Sequence, residues 1–379
     1  MNKLKTMKRF IILVLIVFGL QSSLNAQQPK LYKKIQRHLD ASIDNGLSGV
    51  AVYINTPRGG PWVGTSGWAD KDNKVLISDE SLFSLASVGK VYNAVAILKL
   101  QEMGLLQVDD PIDKYLSKTL VRKLPNGEVI TIRHLLNHTS GLVNYEYDTT
   151  LNRLYLTDKL KLDTLSHQEA IERYVLGKEA LSQPGEEHHY SSTGYMLLAK
   201  IMDSVTVEGH TEFIRSMITE LNLKNTYYRE TPHRQTKYYG DLNADGVQED
   251  ISDKTYETTD WFTGDDGIYA TAREAGVFLE RLMKGEILNA KSLSQMKEWN
   301  DERDPDYGLG LFADKSFPYG FTVGHGGRGI GSTADVYYFP KQDITVAILS
   351  NTGLRAAAPK YRKAYLKLRK KIAMKLFLF

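Results

Sequence analysis

The sequence of 379 residues contains no cysteine. A disulfide, a thiol nucleophile and a thiolate metal site are therefore excluded. Proline is scarce, at 11 residues, and glycine is ordinary, at 30, so the composition favours neither a disordered nor a collagen-like chain. The sequence also lacks an internal repeat of the length that solenoids and propellers have. With 42% apolar residues, the chain can form a large core in one or two domains.

An excess of charge of one sign is also absent, because 48 basic residues face 45 acidic ones. A domain that binds nucleic acid usually carries a strongly basic surface. We therefore expect no nucleic-acid partner and look for a small-molecule or peptide substrate instead. The oligomeric state is left open.

The first 26 residues have the pattern of a secretory signal peptide. Four basic residues between positions 3 and 9 precede an apolar stretch over residues 10–20, and the small residue Ala26 follows. A membrane anchor is the alternative, but the apolar stretch is about half of the roughly 20 residues that span a bilayer. We predict cleavage between Ala26 and Gln27 and an extracytoplasmic protein, periplasmic or secreted. Membrane contact is then expected only during export.

Strand patterns lie near both ends of the remaining chain, and helical patterns fill its middle. A helix over 30–46 precedes a predicted hairpin, and further strands are predicted close to the C-terminus; the strand segments are Gly49–Asn55, Trp62–Trp68, Thr322–Gly324, Ala334–Phe339 and Thr345–Leu349. This order predicts an α+β fold. An antiparallel sheet would be flanked by N- and C-terminal helices and would carry a large, mostly helical inserted region.

The last segment, residues 359–379, reads as a basic amphipathic helix. Its apolar residues recur at spacings of three and four, namely Tyr361, Tyr365, Leu368, Ile372, Leu376 and Phe379. We expect this face to pack on the sheet and the basic side to be solvated, with contact to anionic lipid as the alternative. The domain division is therefore residues 27–358 as one domain, followed by this helix.

A serine and a lysine three residues apart begin a predicted helix that is apolar nearly all round. Ser87 and Lys90 would share one face of that helix. Unpaired N–H groups at a helix start favour a developing oxyanion, and a lysine among apolar neighbours is expected to have a lowered pKa. Ser294 and Lys297 have the same spacing but lie among polar residues. We predict that Ser87 is a nucleophile and that Ser294 is not.

Two further segments have residues suited to such a site. Tyr190 follows a turn and precedes an apolar helix, and residues 324–328 end a strand in the order Gly-His-Gly-Gly-Arg. With Ser87-Val88-Gly89-Lys90, and with the segments 109–116, 130–142 and 307–310, they occur in the order typical of one family. Over roughly residues 30–352 the chain resembles the penicillin-recognising serine hydrolases, which include class C β-lactamases, D-alanyl-D-alanine carboxypeptidases, D-aminopeptidases and related esterases.

The resemblance implies a role for each matching residue. Ser87 would be acylated, while Lys90 and Tyr190 would share its proton. The backbone N–H groups of Ser87 and Arg328 would form the oxyanion hole. His325 would lie near the leaving group, and the substrate-binding residues would be Ser192, Gly326 and Gly327. The stretch His134–Leu142 is interpreted as structural. No cofactor is required.

Two positions depart from the pattern of class C β-lactamases. Ser192 stands where those enzymes usually carry asparagine, and His325 stands where they carry lysine, a permanent cation. Efficient β-lactam hydrolysis is therefore not expected. The predicted activity is that of an exported serine hydrolase acting on an amide or ester, such as a D-Ala-type peptide, an ester or a β-lactam. The alternative is a penicillin-binding receptor, or a degenerate member that binds without turnover.

One acidic loop has the spacing of oxygen ligands in a calcium site. Asp241, Asn243 and Asp245 alternate along it, and Glu249 follows. Counted from Asp241, the twelfth position of the loop is Ser252, where an EF-hand has glutamate. The sequence leaves two interpretations open, a structural calcium site and a plain acidic turn.

Overall fold

The computed structural model describes residues 29–157, 159–230, 236–299, 306–314, 320–355 and 357–377. The predicted signal peptide lies outside the described residues, as does Phe379 of the predicted C-terminal helix face. Cleavage and export therefore stay predictions.

A large antiparallel sheet forms the centre of the fold, as the strand pattern predicts. Within the described residues it has eight strands in the spatial order β3-β2-β1-β13-β12-β11-β10-β9. These strands are β1 (Gly49–Thr56), β2 (Gly60–Asp70), β3 (Val75–Leu76), β9 (Asp306–Tyr307), β10 (Phe312–Asp314), β11 (Thr322–Arg328), β12 (Thr333–Phe339) and β13 (Ile344–Ser350). The first hairpin therefore pairs through β1 with the last strand of the chain.

Among the residues that the structure describes, two smaller sheets accompany the large one. The first consists of β4 (Phe83–Ser84), β8 (Ile268–Ala270) and β5 (Thr226–Tyr228), and the second of β6 (Tyr239–Gly240) and β7 (Glu249–Asp250). Because β4 immediately precedes Ser87 and β8 follows Asp266, this pairing holds two distant parts of the chain together at one place.

The helices cover both faces of the large sheet. In chain order they are α1 (29–44), α2 (Gly89–Glu102), α3 (Lys118–Lys123), α4 (Ile132–Leu136), α5 (Thr149–Leu156), α6 (His167–Tyr174), α7 (Ser192–Val205), α8 (Gly209–Glu220), α9 (Ser252–Trp261), α10 (Ala272–Met283), α11 (Ala290–Met296) and α12 (Pro359–Phe377). Helices α3 to α9 belong to the inserted region. The predicted α+β architecture is confirmed.

Strand β1 shows how the sheet separates two hydrophobic cores. Val50, Val52 and Ile54 point to one face and join a cluster with α1 and α12. The alternate residues Ala51 and Tyr53 point to the other face and join the main cluster around α2, α7 and α10. The two-residue period of a strand explains this division.

The terminal helices pack side by side with the outer face of the sheet, as their apolar periodicity predicts. Tyr365, Leu368 and Ile372 of α12 are buried there beside Ile35 and Leu39 of α1. In the part of the chain that the structure describes, no helix is long and apolar enough to cross a membrane.

Candidate active site

Ser87 lies on a 3₁₀ turn, Ala86–Val88, that leads directly into α2. The helix is buried on nearly every side, as its sequence predicts, because only Lys99 and Glu102 are not buried. Ala86 has a φ of +48° and is itself buried. A non-glycine residue in this left-handed region is strained, and the surrounding packing must hold it there. The turn that carries Ser87 is therefore rigidly held.

Strand β11 passes against this turn at Gly327. A Cβ atom at position 327 would lie 2.1 Å from the backbone oxygen of Leu85, closer than any real contact. Only glycine allows this approach. As a result Arg328, the next residue, lines the same cavity as Ser87. This is the proximity that the predicted oxyanion pair, Ser87 and Arg328, requires.

The side chain of Arg328 does not face that cavity. Its guanidinium donates to the backbone oxygens of Gly327 and Ala334 and forms an ion pair with Asp335 at 2.8 Å. It also lies over the ring of Tyr365 from α12, on the outer side of the sheet. Arg328 can therefore contribute to an oxyanion hole through its backbone N–H, not through its charge.

Lys90 is completely buried and points at Ser87. Its Nζ donates to Ser87 Oγ at 3.3 Å and to the backbone oxygen of Asp265 at 3.2 Å. A Cβ atom on Gly89 would lie 2.8 Å from the backbone oxygen of Asp266. Glycine between the serine and the lysine therefore lets the Asp265–Asp266 backbone reach the lysine.

The expected lowering of the Lys90 pKa is wrong. Burial by itself lowers it, but the interactions of Lys90 with Tyr190, Asp265 and Glu146 act in the opposite direction, and the resulting pKa lies above the usual range. The apolar helix around Lys90 suggested a neutral amine. The carboxyl groups that reverse the shift come from other parts of the chain. Lys90 is thus an ammonium ion in the free protein.

Tyr190 completes the cluster that the sequence predicted. It lies immediately before α7, and its hydroxyl forms hydrogen bonds with Ser87 and Lys90. Burial raises the pKa of Tyr190, and the charge of Lys90 reduces that rise without cancelling it. Tyr190 is therefore a neutral phenol at rest, beside a cation that would stabilise its phenolate.

The ring of His138 packs against the ring of Tyr190, a contact that the sequence did not predict. Its ring lies 4.2 Å from the ring of Tyr190, and its Nδ1 accepts a hydrogen bond from Ser191 N. Burial lowers the pKa of His138 well below the usual range, so the ring is neutral. The sequence of residues 134–142 indicates a structural role, and this contact fits that role while adding a direct contact to the site.

His325 is placed differently from the expectation. It is buried, its Nε2 lies 3.1 Å from the hydroxyl of Tyr307, and its Nδ1 lies 2.7 Å from the backbone oxygen of Gly326. Burial and the charge of Lys90 lower its pKa to about 3. Both ring nitrogens are thus occupied within the protein, and the ring is neutral. His325 is a support beside Tyr190, at 6.3 Å between rings, rather than a group that reaches a leaving group.

The predicted substrate-binding residues are also near the site but are not open to it. Ser192 is completely buried at the start of α7. Gly326 faces Asp335 on the outer side of the sheet, and the space beside Gly327 is filled by Leu85. Among the described residues, β10 pairs with β11 only as far as Gly324. Residues 325–328 of β11 therefore have no strand partner on that side in the described part of the chain.

Two acidic residues beside Lys90 are not predicted by the sequence. Glu146 lies on the 3₁₀ turn Tyr145–Tyr147 and Asp265 precedes β8, and their carboxyl groups are hydrogen-bonded to each other. Burial by itself raises the pKa of Glu146, but the bond with Asp265 and the charges of Arg355 and Lys90 lower it to about 2. Burial and the charge of Glu146 raise the pKa of Asp265 far above its usual range. Glu146 is therefore ionised and Asp265 protonated.

A cavity of about 200 Å³ opens beside Ser87. Its walls are mainly apolar. Its polar groups come from the acidic pair, from Asp266, from threonines of α9, and from Ser84, Asn152, Arg328, Ser332 and Arg355. Burial raises the pKa of Asp266 to about 7. The apolar lining residues are Tyr145, Leu151, Tyr155, Leu156, Leu162, Leu242, Phe262 and Ile330. The size and lining suit an uncharged acyl group of a few carbon atoms or an aromatic ring.

The acidic loop does not fit a calcium ion. The Asp241 carboxylate accepts hydrogen bonds from the backbone N–H groups of Asp245, Gly246 and Ala358. Asp245 in turn accepts from Val247. Among the described residues, no group of three or more histidine, aspartate or glutamate side chains is arranged to hold a metal ion. Asn243 and Glu249 lie on this loop and on β7 without forming such a group, so the acidic-turn interpretation fits better.

Ser294 is distant from these groups along the sequence, and its environment also differs from that of Ser87. It is exposed near the end of α11, and Lys297, directly after the helix, is exposed too. The two serine–lysine pairs thus have the same spacing, but Lys90 is buried and Lys297 is exposed, as their neighbouring residues predict.

Several known proteins are similar to this chain. A family model described as Beta-lactamase matches residues 33–369. Penicillin-binding protein 4* of Bacillus subtilis (strain 168) is 28% identical over 322 residues, which cover 79% of this chain and 67% of that protein. Protein flp of Staphylococcus aureus (strain NCTC 8325 / PS 47) is 31% identical over 182 residues, or 48% of this chain. The match spans only 34% of the staphylococcal protein's length.

A solved structure shows the same fold. The D-amino acid amidase from Ochrobactrum anthropi SV3, in complex with D-phenylalanine, superposes with a TM-score of 0.76. The match covers 92% of this chain and 99% of that one, at 23% sequence identity.

Proposed function

Because the chain belongs to the beta-lactamase family, we propose that it is an exported serine hydrolase that forms an acyl-enzyme on Ser87 with an amide or ester substrate. The observation that carries this proposal is the direct contact among Ser87, Lys90 and Tyr190. A nucleophile in hydrogen-bonding reach of its proton acceptor, beside an oriented cation, is what acyl transfer requires.

Acylation begins with attack of Ser87 Oγ on the substrate carbonyl carbon. In the fraction of molecules whose Tyr190 has released its proton to solvent, the new C–O bond forms while the Ser87 hydroxyl proton passes to the phenolate oxygen of Tyr190, and the carbonyl electron pair moves onto oxygen. The backbone N–H groups of Ser87 and Arg328 stabilise that oxyanion. The bond to the leaving amine or alcohol then breaks, and the leaving group takes the proton from Tyr190. Water hydrolyses the remaining ester by the same steps.

The charges of the site favour Tyr190 over Lys90 as the base. Lys90 holds its proton, so it has no lone pair to accept another. Its positive charge instead stabilises the phenolate form of Tyr190. Lys90 therefore acts on the reaction by its charge and by orienting Ser87 Oγ.

The cavity beside Ser87 supports an uncharged acyl group as the part of the substrate that enters it. Its walls are mainly apolar, and the acid on them that is fully ionised, Glu146, is already paired with Arg355. The amide of a D-amino acid, the class of substrate named for the Ochrobactrum enzyme, is one substrate to test. Simple esters and D-Ala-D-Ala peptides are others.

The test compares Ser87→Ala with Ser294→Ala. We expect the first to abolish turnover of a p-nitrophenyl ester and labelling by a fluorophosphonate, and the second to change neither, since Ser294 is exposed and remote. Lys90→Ala and Tyr190→Phe should each reduce the rate by roughly 10²–10⁴. Their double variant should lose less than the product, because both serve one proton transfer. An acyl adduct found on Ser294 would refute the site.

The alternative is a receptor that is acylated without turnover. The burial of Ser192, where class C β-lactamases usually carry asparagine, is the observation that favours it. A fluorescent penicillin followed over time separates the two functions. Loss of label indicates a hydrolase, and persistence of the label on Ser87 indicates a trap.

A further inference from the structure

The Glu146–Asp265 carboxyl pair lies directly behind Lys90 and is not explained by the chemistry of acyl transfer alone. Lys90 Nζ lies 3.9 Å from Asp265 Oδ2, and both side chains are buried. Two ionised carboxylates cannot donate to each other, so hydrogen bonding between Glu146 and Asp265 requires one shared proton. The pair therefore carries one negative charge next to the ammonium group.

The partners of each carboxyl group decide where that charge is located. Arg355 Nη1 lies 3.4 Å from Glu146 Oε2, and Arg355 Nη2 donates to the backbone oxygen of Glu146 at 3.0 Å. Asp265 has a weaker environment for an anion: its Oδ2 has Lys90 Nζ at 3.9 Å and the Tyr145 hydroxyl at 3.5 Å, and no donor among the described residues reaches its Oδ1. The charge is thus held on Glu146 and the proton on Asp265.

We propose that Glu146 and Asp265 are positioning residues for Lys90, a proton-sharing pair whose single negative charge keeps Lys90 an ammonium ion aimed at Ser87. This inference rests on the proposed function of Ser87. In this arrangement Arg355, Glu146, Asp265 and Lys90 form a line of groups that ends at the nucleophile. The pair does not touch the substrate carbonyl; it acts through Lys90.

Other titratable groups also face Lys90, and none of them replaces Glu146. Tyr190, Tyr195, His138 and His325 are neutral because burial shifts each pKa toward the uncharged form. Asp266 follows Asp265 in the same loop, and its pKa of about 7 leaves it only partly ionised near neutral pH. Glu146 is therefore the one carboxylate, among the described residues around Lys90, that is fully ionised.

Amide substitutions separate the charged member of the pair from the neutral one. Glu146→Gln removes the negative charge, so Lys90 should lose its proton at lower pH. Asp265→Asn replaces a group that is already neutral, so the charge beside Lys90 should be retained. Asp203→Asn is the matched control, because Asp203 is a carboxylate paired with His210 at the other end of α7.

The measurement is the rate of fluorophosphonate labelling of Ser87 between about pH 6 and about pH 10.5. We expect the labelling rates of the wild-type and Asp265→Asn proteins, each taken relative to its own value at about pH 8, not to fall toward the alkaline end. In Glu146→Gln the rate should fall about tenfold for each unit by which the pH exceeds the lowered Lys90 pKa, so we expect a loss of at least about tenfold by about pH 10.5. The Asp203→Asn profile should follow the wild type.

Each outcome bears on the inference. Superimposable Glu146→Gln and wild-type profiles would overturn it, as would an equal alkaline loss in Asp265→Asn. If Glu146→Gln does not fold, as judged by its melting curve, the Asp265→Asn profile decides alone, since an alkaline loss there contradicts the neutral assignment. A wild-type protein that takes no label on Ser87 would instead refute the proposed function.

Discussion

The contact between β11 and the turn of Ser87 can be tested with a single methyl group. Gly327→Ala places a Cβ atom 2.1 Å from the backbone oxygen of Leu85. Ordinary van der Waals contact begins near 3.4 Å, so strand and turn must separate by about 1 Å. Neither neighbour is a flexible side chain that can move aside. The change is therefore expected to shift Arg328 relative to Ser87.

Two magnitudes follow from that separation. Overpacking of this kind costs typically about 1–3 kcal/mol of unfolding free energy. A domain with about 5–15 kcal/mol of stability remains folded after such a loss. A displacement of about 1 Å in the oxyanion hole should nevertheless lower kcat/KM roughly 10²-fold. Activity should thus fall much more than the population of folded protein.

The assay combines urea unfolding with kcat/KM for an activated ester. Gly326→Ala is the control, because it adds the same methyl group one residue earlier, on the outer face, where the nearest atom is a side-chain oxygen of Asp335 at 3.0 Å. We expect that variant to lose far less activity. Unchanged kcat/KM in Gly327→Ala, or equal losses in both variants, would refute the reasoning.

Further expectations concern pH, specificity, calcium and the N-terminus. Acylation of wild-type Ser87 should accelerate from about pH 6 to about pH 10, because the raised pKa of Tyr190 leaves more phenolate only as pH increases; a maximum near neutrality would contradict this. Leu156→Trp should fill part of the cavity and reduce kcat/KM for a p-nitrophenyl hexanoate more than for the acetate, and equal effects would exclude the cavity as the acyl site. Millimolar calcium should leave the melting temperature as it is with chelator, because backbone N–H groups occupy Asp241. Intact-mass measurement of exported protein should give a chain that begins at Gln27, and a retained Met1 would oppose the predicted signal peptide.

Local sequence patterns predicted much of the architecture. The alternation in β1 and the apolar spacing of α12 depend only on residues that are close together along the chain, and both elements form as expected. The same holds for the pairing of Ser87 with Lys90, because three residues on a helical turn bring the two side chains together whatever surrounds them. Tyr190 was found through its place in the order of motifs, which the family resemblance supplied.

Charge states were decided by the tertiary structure. The neighbours of Lys90 in sequence are apolar and predicted a lowered pKa, but Tyr190, Asp265 and Glu146 arrive from separate segments and reverse it. Neither acid belongs to a recognisable motif, so the sequence held no signal for them. The electrostatic interaction depends on distances of a few ångströms across the fold, which spacing along the chain does not encode.

The roles of residues 324–328 in β11 were likewise visible only in the tertiary structure. From its sequence, the Gly-His-Gly-Gly-Arg segment indicated a strand that a ligand approaches closely. In the folded protein the close approach at Gly327 is made by the backbone of Leu85, and His325 is engaged by Tyr307. The sequence by itself thus determined that Ser87 and Lys90 meet, since spacing along a helix is a local property, and the order of motifs added Tyr190. Which of them face the cavity, and which carry charge, depended on the packing of segments that are distant in the chain.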